Sequence, residues 1–338
     1  MTEPTIWTKC YSRKWNKGEV DPDTFKHPAR FAPKLIERIV KHGLERGWWK
    51  RGDLLIDPFG GVAMGGFVAA RHGLRWLGME LEPHFHATGN RNIDLWGERE
   101  RITLVQGDSR YDFSKAVANA TGAVLSPPYA GTDPRQNSSS IDRTKQWESY
   151  RAQGGGQSLE AFSATQDKHS QGYGVSDGQM GAMKIASVTS PPFENSLNSK
   201  DRSFNADARA GRTDQCSDYG TSTGQIGVTS GDDYWSACRL VYEQLRAVLP
   251  PGGMACIVVK DFVKKGKRYP LCDMTLALLE SLGFKLVERI HAIIDEQEPG
   301  LFGTIKKSRK GFFRKMYEAR PGAVKIDFEE VLYLSAPA

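Results

Sequence analysis

The feature of this sequence that most limits its possible folds is an alternation of short apolar runs and helical patterns over residues 33–130. "PKLIERIVKHGLERG" has the spacing of an amphipathic helix, and "DLLIDPFGG" is a buried strand that enters a glycine turn. A small-residue helix, the strand "LRWLGMELE", another helix and the strand "RITLVQGDS" follow. A further helix leads to "GAVLSPPY", which is predicted to be the fourth strand. This alternation indicates a parallel sheet with helices on both faces.

The C-terminal part of the chain repeats the pattern. An amphipathic helix precedes the buried strand "MACIVVKDF", and a second helix precedes the strand "KLVERIHAII". No helical pattern separates that strand from the last one, "FEEVLYLSA", so the two are predicted to pair antiparallel. The predicted fold is therefore α/β, with a mostly parallel sheet of seven strands and an antiparallel last strand.

Composition narrows the class of protein. The chain has 338 residues, a formal net charge of +6 and five scattered cysteines without CxxC spacing. Reduced thiols are expected, and no zinc site or disulfide framework is predicted. No apolar stretch approaches the ~18 residues of a membrane span, and no signal-peptide core is recognisable. We therefore expect a cytoplasmic protein with no bound metal.

Acidic residues stand at the predicted carboxyl ends of three strands. Asp57 opens "DPFGG", Glu80 ends the second strand and Asp108 follows the third. Gly60 and Gly61 permit a tight turn that approaches a ligand closely, at the start of a helix. No GxGxxG or Walker lysine is present, so a phosphate-binding loop is not indicated. The pattern predicts a cleft for an adenosine-bearing, non-phosphate cofactor, with Glu80 on the ribose hydroxyls and Asp108 on the adenine amine.

Two proline corners resemble each other. "AVLSPPYAG" ends in Ser126, Pro127, Pro128 and Tyr129, and "SVTSPPFEN" contains Ser190, Pro191, Pro192 and Phe193. Proline donates no backbone hydrogen bond and forces the preceding residue out of helical geometry, so each corner ends an apolar run in a rigid, extended conformation. We refer to these segments as the Ser126 corner and the Ser190 corner.

Five motifs, "HPARF" (27–31), "DPFGG", "GMELE", "QGDS" and "SPPY", resemble in order and spacing the amino-methyltransferases that act on DNA. The resemblance covers residues 27–130 and 231–335. It implies a Rossmann-like methyltransferase fold and S-adenosylmethionine as the cofactor. It also implies methylation of an exocyclic amine of cytosine or adenine in duplex DNA. The predicted cofactor-binding residues are His27, Phe31, Asp57, Pro58, Phe59, Gly60, Gly61, Glu80 and Asp108.

The resemblance also assigns a role to a proline corner. Ser126 and the carbonyl of Pro127 are expected to accept hydrogen bonds from the target amine, while Tyr129 stacks on a base flipped out of the duplex. The Ser126 corner is the preferred catalytic corner, because it follows the third strand and one helix. The Ser190 corner is the alternative. Serine at the first position favours cytosine N4 over adenine N6, although serine also occurs in adenine enzymes.

The same reasoning divides the chain into three parts. Residues 1–129 are the predicted cofactor-binding half, and 231–338 complete the methyltransferase domain. Residues 130–230, rich in Gly, Ser and Gln, are a predicted insertion and a candidate target-recognition region.

A basic segment near 305–320, interleaved with aromatic residues, is predicted to contact DNA phosphates. Its candidate DNA-binding residues are Lys306, Lys307, Arg309, Lys310, Arg314 and Lys315. Lys260 to Arg268 form a second, weaker basic patch. A restriction endonuclease partner, if one exists, is expected to be a separate protein. The alternative functions are an RNA amine methyltransferase and a noncatalytic, cofactor-binding regulatory subunit.

Overall fold

A computed structural model describes residues 3–27, 30–122, 184–192, 222–226, 229, 231–264, 266–300, 303–308 and 322–338. Residues 1–121 and 184–338 group into one compact unit. Within the part of the chain that the structure describes, no helix has both the length and the apolar character needed to cross a membrane.

The described helices and strands follow the predicted alternation. The helices are α1 (Pro33–Glu45), α2 (Met64–Arg71), α3 (Pro83–Trp96), α4 (Phe113–Gly122), α5 (Asp232–Val248) and α6 (Leu271–Ser281). The strands are β1 (Thr5–Trp7), β2 (Leu54–Asp57), β3 (Arg75–Glu80), β4 (Ile102–Gln106), β5 (Ile185–Thr189), β6 (Met254–Val259), β7 (Phe262–Lys264), β8 (Lys267–Tyr269), β9 (Lys285–Ile293), β10 (Asp295–Gly300), β11 (Gly303–Ser308) and β12 (Phe328–Ser335).

The main sheet has eight strands in the order β1-β9-β12-β6-β5-β2-β3-β4. All of its neighbouring pairs are parallel except those of β12, which runs antiparallel to both β6 and β9. This topology confirms the Rossmann-like methyltransferase fold and its antiparallel last strand. The eighth strand, β1, was not predicted, because three residues with a single buried side chain carry no periodicity.

The strand between β2 and β6 comes from residues 185–189. β5 pairs with β2 on one side and with β6 on the other, and β3 occupies the remaining edge of β2. Residues 185–189, which lie within the predicted insertion, therefore follow β4 and α4 as the next described strand, where "GAVLSPPY" was predicted. Both segments are short apolar runs that end in Ser-Pro-Pro, so local pattern alone does not separate them. Residues 123–130 lie outside the described residues.

The core explains why these segments form their elements. All four residues of β2 are buried, as expected for a central parallel strand covered on both faces. Helix α1 begins at Pro33 and buries Leu35, Ile36, Ile39 and Val40 on one face. These aliphatic side chains join a cluster that continues across the sheet.

Candidate cofactor and target site

The carboxyl ends of β2, β3, β4 and β5 meet at one edge of the sheet and border an open cleft. The empty space between its walls is about 640 Å³, including space open to solvent. In a doubly wound sheet, this edge is where ligands bind. The cleft is lined by His27, Pro58, Phe59, Met79, Glu80, Leu81, Asp108, Ser109, Ser190, Pro192, Gly224, Gln225, Ile226 and Val241.

The glycine turn after β2 packs directly against β3. The amide of Gly60 donates to the Met79 carbonyl at 2.7 Å. A Cβ atom on Gly60 would lie 2.9 Å from Leu104 Cδ1 and 3.1 Å from Gly78 Cα. Gly61 has a φ of 53°, a conformation that glycine adopts without strain. Glycine is therefore required at Gly60 for space and favoured at Gly61 by conformation, and the chain enters α2 directly afterwards.

Asp57 lies at the end of β2, with only 2% of its surface exposed. Its Oδ1 accepts hydrogen bonds from Thr189 Oγ1 at 2.6 Å and from the amide of Phe59 at 2.9 Å. Burial raises the pKa of Asp57 to about 7, although both hydrogen bonds favour the ionised form. A cation placed near the glycine turn would therefore favour the ionised form of this carboxylate.

Glu80 lies at the end of β3 and lines the cleft. The amide of Glu82 donates to Glu80 Oε1 at 2.9 Å. Burial raises the pKa of Glu80 to about 7, and the neighbouring charges of Glu82 and Asp57 act in the same direction. The side chain can accept hydrogen bonds from ligand hydroxyl groups, as predicted for a ribose.

Asp108 lines the cleft after β4 and forms an ion pair with Arg110. Arg110 Nε lies 3.0 Å from Oδ1, and an Nη atom lies 2.6 Å from Oδ2. The backbone amide of Arg110 also donates to Oδ1 at 3.0 Å, and its Nε lies 3.1 Å from Oδ2, so Arg110 contacts both carboxylate oxygens of Asp108. The adjacent Ser109 hydroxyl donates to the Pro58 carbonyl at 2.5 Å and ties this loop to the glycine turn.

The Ser190 corner follows β5 and contributes Ser190 and Pro192 to the cleft lining. The hydroxyl of Tyr234 donates to the Pro192 carbonyl at 2.9 Å. Tyr234 lies in the first turn of α5 and is 1% exposed. Its buried hydrogen bond therefore anchors the Ser190 corner to α5. Phe193 lies outside the described residues.

The Ser126 corner, Ser126 to Tyr129, also lies outside the described residues. Comparison of the two sequences shows a difference that bears on the site. Thr189, which bonds to Asp57, precedes Ser190, whereas Leu125 precedes Ser126. A leucine side chain has no hydrogen-bond donor, so the Ser126 corner could not reproduce this contact.

Residues near "HPARF" divide between the cleft and the core. His27 is buried, lines the cleft and packs edge-on against Phe85, with ring centroids 4.5 Å apart. Phe31 packs against the hydrophobic core, and its carbonyl accepts from Trp15 Nε1 at 2.8 Å. The predicted residues Phe31, Asp57, Gly60 and Gly61 are not part of the cleft lining, whereas Pro58 and Phe59 are.

Sequence reasoning missed a second wall of the cleft, formed by residues 222–226. Glu82, which is 2% exposed, holds this wall: it accepts from Ser222 Oγ at 2.9 Å and from Gln225 Nε2 at 2.6 Å. Gly224, Gln225 and Ile226 then border the cleft. The segment lies within the predicted insertion, and only the second acid of "ELEP" hinted that a partner was needed.

The predicted basic segment begins in a hairpin formed by β10 and β11. In its register Lys306 lies opposite Gln297, and Lys307 lies opposite Glu296. An acidic strand therefore pairs with the start of the basic segment. The remaining predicted DNA-binding residues, Arg309, Lys310, Arg314 and Lys315, lie outside the described residues.

Comparison with known proteins agrees with the motifs. Residues 3–91 match the family model described as DNA methylase. The chain is 29% identical over 93 residues to the Type II methyltransferase M2.DpnII of Streptococcus pneumoniae, over 28% of this chain and 31% of that protein. It is 36% identical over 78 residues to the Type II methyltransferase M.PvuII of Proteus hauseri, over 23% of this chain and 22% of that protein. These matches span less than a third of either relative.

Among solved structures, a SAM-dependent O-methyltransferase from Thermotoga maritima aligns with 93% of this chain and 68% of its own, with a TM-score of 0.42 and 13% identity. The residues of the family match include the glycine turn, Asp57, Glu80 and His27. The resemblance to DNA amino-methyltransferases is therefore confirmed over residues 3–91 of this chain.

Proposed function

We propose that this protein transfers a methyl group from S-adenosylmethionine to an exocyclic amine of cytosine or adenine in duplex DNA, acting on a flipped-out base. The observation that carries this proposal is the Thr189–Asp57 hydrogen bond. It joins the strand that ends in the Ser190 corner to the strand that ends in the glycine turn. The two motifs that the reaction requires therefore border one cleft.

Residues in the cleft and in the glycine turn beside it fit the proposed cofactor. Gly60 lacks the Cβ that would collide with β3, which keeps the turn flat against the sheet. Glu80 is the acceptor for ribose hydroxyls, Asp108 is the acceptor for an adenine amine, and Asp57 offers a carboxylate near the turn for the cationic methionine end. When bound, S-adenosylmethionine supplies an electrophilic methyl group on sulfur.

We further propose that the Ser190 corner, rather than the Ser126 corner preferred from the sequence, receives the target amine. Ser190 Oγ and the Pro191 carbonyl would accept its two hydrogen bonds, which draws the nitrogen lone pair out of conjugation with the ring. Phe193 would stack on the base. Rigid prolines and the Tyr234 anchor hold these acceptors in place before the substrate arrives, as electrostatic preorganisation requires.

The choice of base follows from the first residue of the corner, and serine favours cytosine N4. The two alternative functions predict different outcomes. An RNA amine methyltransferase would use the same cleft on a different polymer. A regulatory subunit would bind the cofactor without transferring its methyl group.

The test uses tritiated S-adenosylmethionine with genomic DNA and, separately, with total RNA. We expect label in DNA, present as N4-methylcytosine after digestion to nucleosides. We expect Ser190→Ala to retain cofactor binding and to lose transfer, whereas Ser126→Ala remains active. Label in RNA alone, or in neither polymer despite cofactor binding, contradicts the proposed function. An inactive Ser126→Ala together with an active Ser190→Ala would restore the corner preferred from the sequence.

A further inference from the structure

A small hairpin, formed by β7 and β8, extends from the edge of the sheet that carries the cleft. Thr189 pairs with Ile257, so β5 and β6 end near each other at this edge. The hairpin begins at Phe262, three residues after the end of β6. It pairs Phe262 with Tyr269 and Lys264 with Lys267 around a two-residue turn. Gly266 in that turn has a φ of 77°.

The base of the hairpin is fixed to the sheet. The Phe262 and Tyr269 rings pack across the strands, with centroids 4.7 Å apart. Arg268 donates to the buried Asp261 at 2.5 Å, and Asp261 also accepts from the amide of Cys272 at 2.9 Å. Aromatic cross-strand pairs and opposite charges both stabilise short antiparallel pairs. The tip is therefore presented from a fixed base.

The tip concentrates positive charge. Lys264 and Lys267 are both exposed and stand directly opposite each other, and Lys265 lies between them in sequence. Like charges in direct cross-strand pairs are destabilising. Lys264 Nζ lies 5.0 Å from the centre of the Tyr269 ring, a contact that orients the ammonium group. Two exposed lysines that face each other across the hairpin are suited to an anionic partner.

We propose that the tip of this hairpin binds the phosphate backbone of the DNA duplex beside the target base. The inference rests on the proposed function and adds a contact surface to it. The hairpin lies at the same edge of the sheet as the Ser190 corner, so a duplex that delivers a base to the cleft passes this edge. The lysines of the tip can neutralise phosphates of the duplex. Neutralisation of the phosphates releases counterions, which favours binding.

The experiment measures binding of a fluorescein-labelled duplex of mixed sequence as salt concentration is varied. Lys264→Gln with Lys267→Gln removes two charges and keeps polar side chains at both positions. We expect affinity at low salt to fall at least about tenfold and the slope of log affinity against log salt to decrease by about 2. Binding of S-adenosylmethionine should be unchanged, and the melting temperature should not fall, because the variant removes a repulsive cross-strand pair.

The matched control is Lys50→Gln with Lys285→Gln. Both lysines are exposed and precede or begin strands at the opposite edge of the sheet. This pair makes the same change in net charge and should leave the salt slope unaltered. The single variant Lys267→Gln, expected to reduce the slope by about 1, serves if the double variant does not fold.

Equal slopes for the hairpin variant and the wild type overturn the proposal while leaving the proposed function intact. So does an equal loss in the control pair, which would show that only net charge matters. If the wild type binds total RNA but neither binds nor methylates the duplex, the hairpin proposal and the proposed function fail together.

Discussion

Thr189 Oγ1 donates a 2.6 Å hydrogen bond to Asp57 Oδ1 across the ends of two neighbouring parallel strands. Both residues are almost fully buried, and they lie 132 positions apart in the chain. One strand continues into the glycine turn and the other into the Ser190 corner. The bond therefore sets the position of one motif relative to the other.

Replacement of Thr189 by valine keeps the shape of the side chain and removes the donor. We expect a loss of about 1–3 kcal/mol in the free energy of unfolding, because a buried acceptor loses a partner. The pKa of Asp57 should also rise, since the bond favours the ionised form. Urea denaturation measures the loss of stability. Calorimetric titration with S-adenosylmethionine at several pH values follows the pKa of Asp57 through its effect on cofactor affinity. Thr189→Ser, which retains the hydroxyl, is the control, and equal behaviour of both variants would contradict the prediction.

The raised pKa of Asp57 predicts the pH dependence of stability. Burial raises this pKa from 3.8 to about 7, so between those pH values the folded protein holds a proton that the unfolded chain has released. Stability of the free protein should therefore fall as pH rises toward 7, by an amount on the order of 4 kcal/mol from this group. Asp57→Asn should flatten the fall in denaturation curves measured from pH 4 to 8.

Cofactor affinity should change in the opposite direction. An ionised Asp57 attracts a cationic methionine group, so affinity for S-adenosylmethionine should increase as pH rises through about 7. Calorimetric titration across this range provides the measurement. A pH-independent affinity in the wild type would show that Asp57 stays neutral in the complex.

Tyr234 is predicted to position the Ser190 corner. Tyr234→Phe removes the donor to the Pro192 carbonyl and preserves the ring. We expect methyl transfer at saturating substrate to slow about tenfold, which corresponds to about 1.4 kcal/mol, while the dissociation constant of S-adenosylmethionine stays the same. A variant that loses stability but keeps its rate would reduce Tyr234 to a packing residue.

Glu82 is predicted to hold the wall formed by residues 222–226. Glu82→Gln replaces an acceptor-only carboxylate with an amide, which weakens the bonds from Ser222 and Gln225. Affinity for S-adenosylmethionine should fall about tenfold because Gly224 and Ile226 no longer border the cleft, and hydrogen exchange in this segment should accelerate. Glu98→Gln, which breaks the surface pair with Arg101, should change neither quantity.

Gly60 is predicted to tolerate no side chain. Gly60→Ala places a Cβ 3.1 Å from Gly78 Cα, which is backbone and cannot move aside easily. Overpacking of this kind costs about 1–3 kcal/mol, and the shifted turn should bind S-adenosylmethionine poorly. Gly18→Ala is the control, because nothing lies within 4 Å of that Cβ position. Thermal melts and cofactor titration of both variants provide the comparison.

Much of the fold follows from short-range pattern. The apolar runs that became β2, β3, β4 and β6 were recognisable because buried parallel strands are continuous in hydrophobicity and are punctuated by glycine and proline. The acids Asp57, Glu80 and Asp108 were placed at one edge by the same reasoning, because carboxyl ends of parallel strands face the same way.

The sequence by itself determined the α/β class, the strand-end acids, the glycine turn and the existence of two proline corners. Only the tertiary structure decided which segment pairs with β2 and that Glu82 holds residues 222–226 as a wall of the cleft. The physical reason is the separation along the sequence between residues that come into contact. Periodicity and turn chemistry act over a few residues, whereas Thr189 meets Asp57, and Ser222 meets Glu82, across separations of 132 and 140 positions. Such partners are determined by burial and hydrogen-bond geometry in the folded chain.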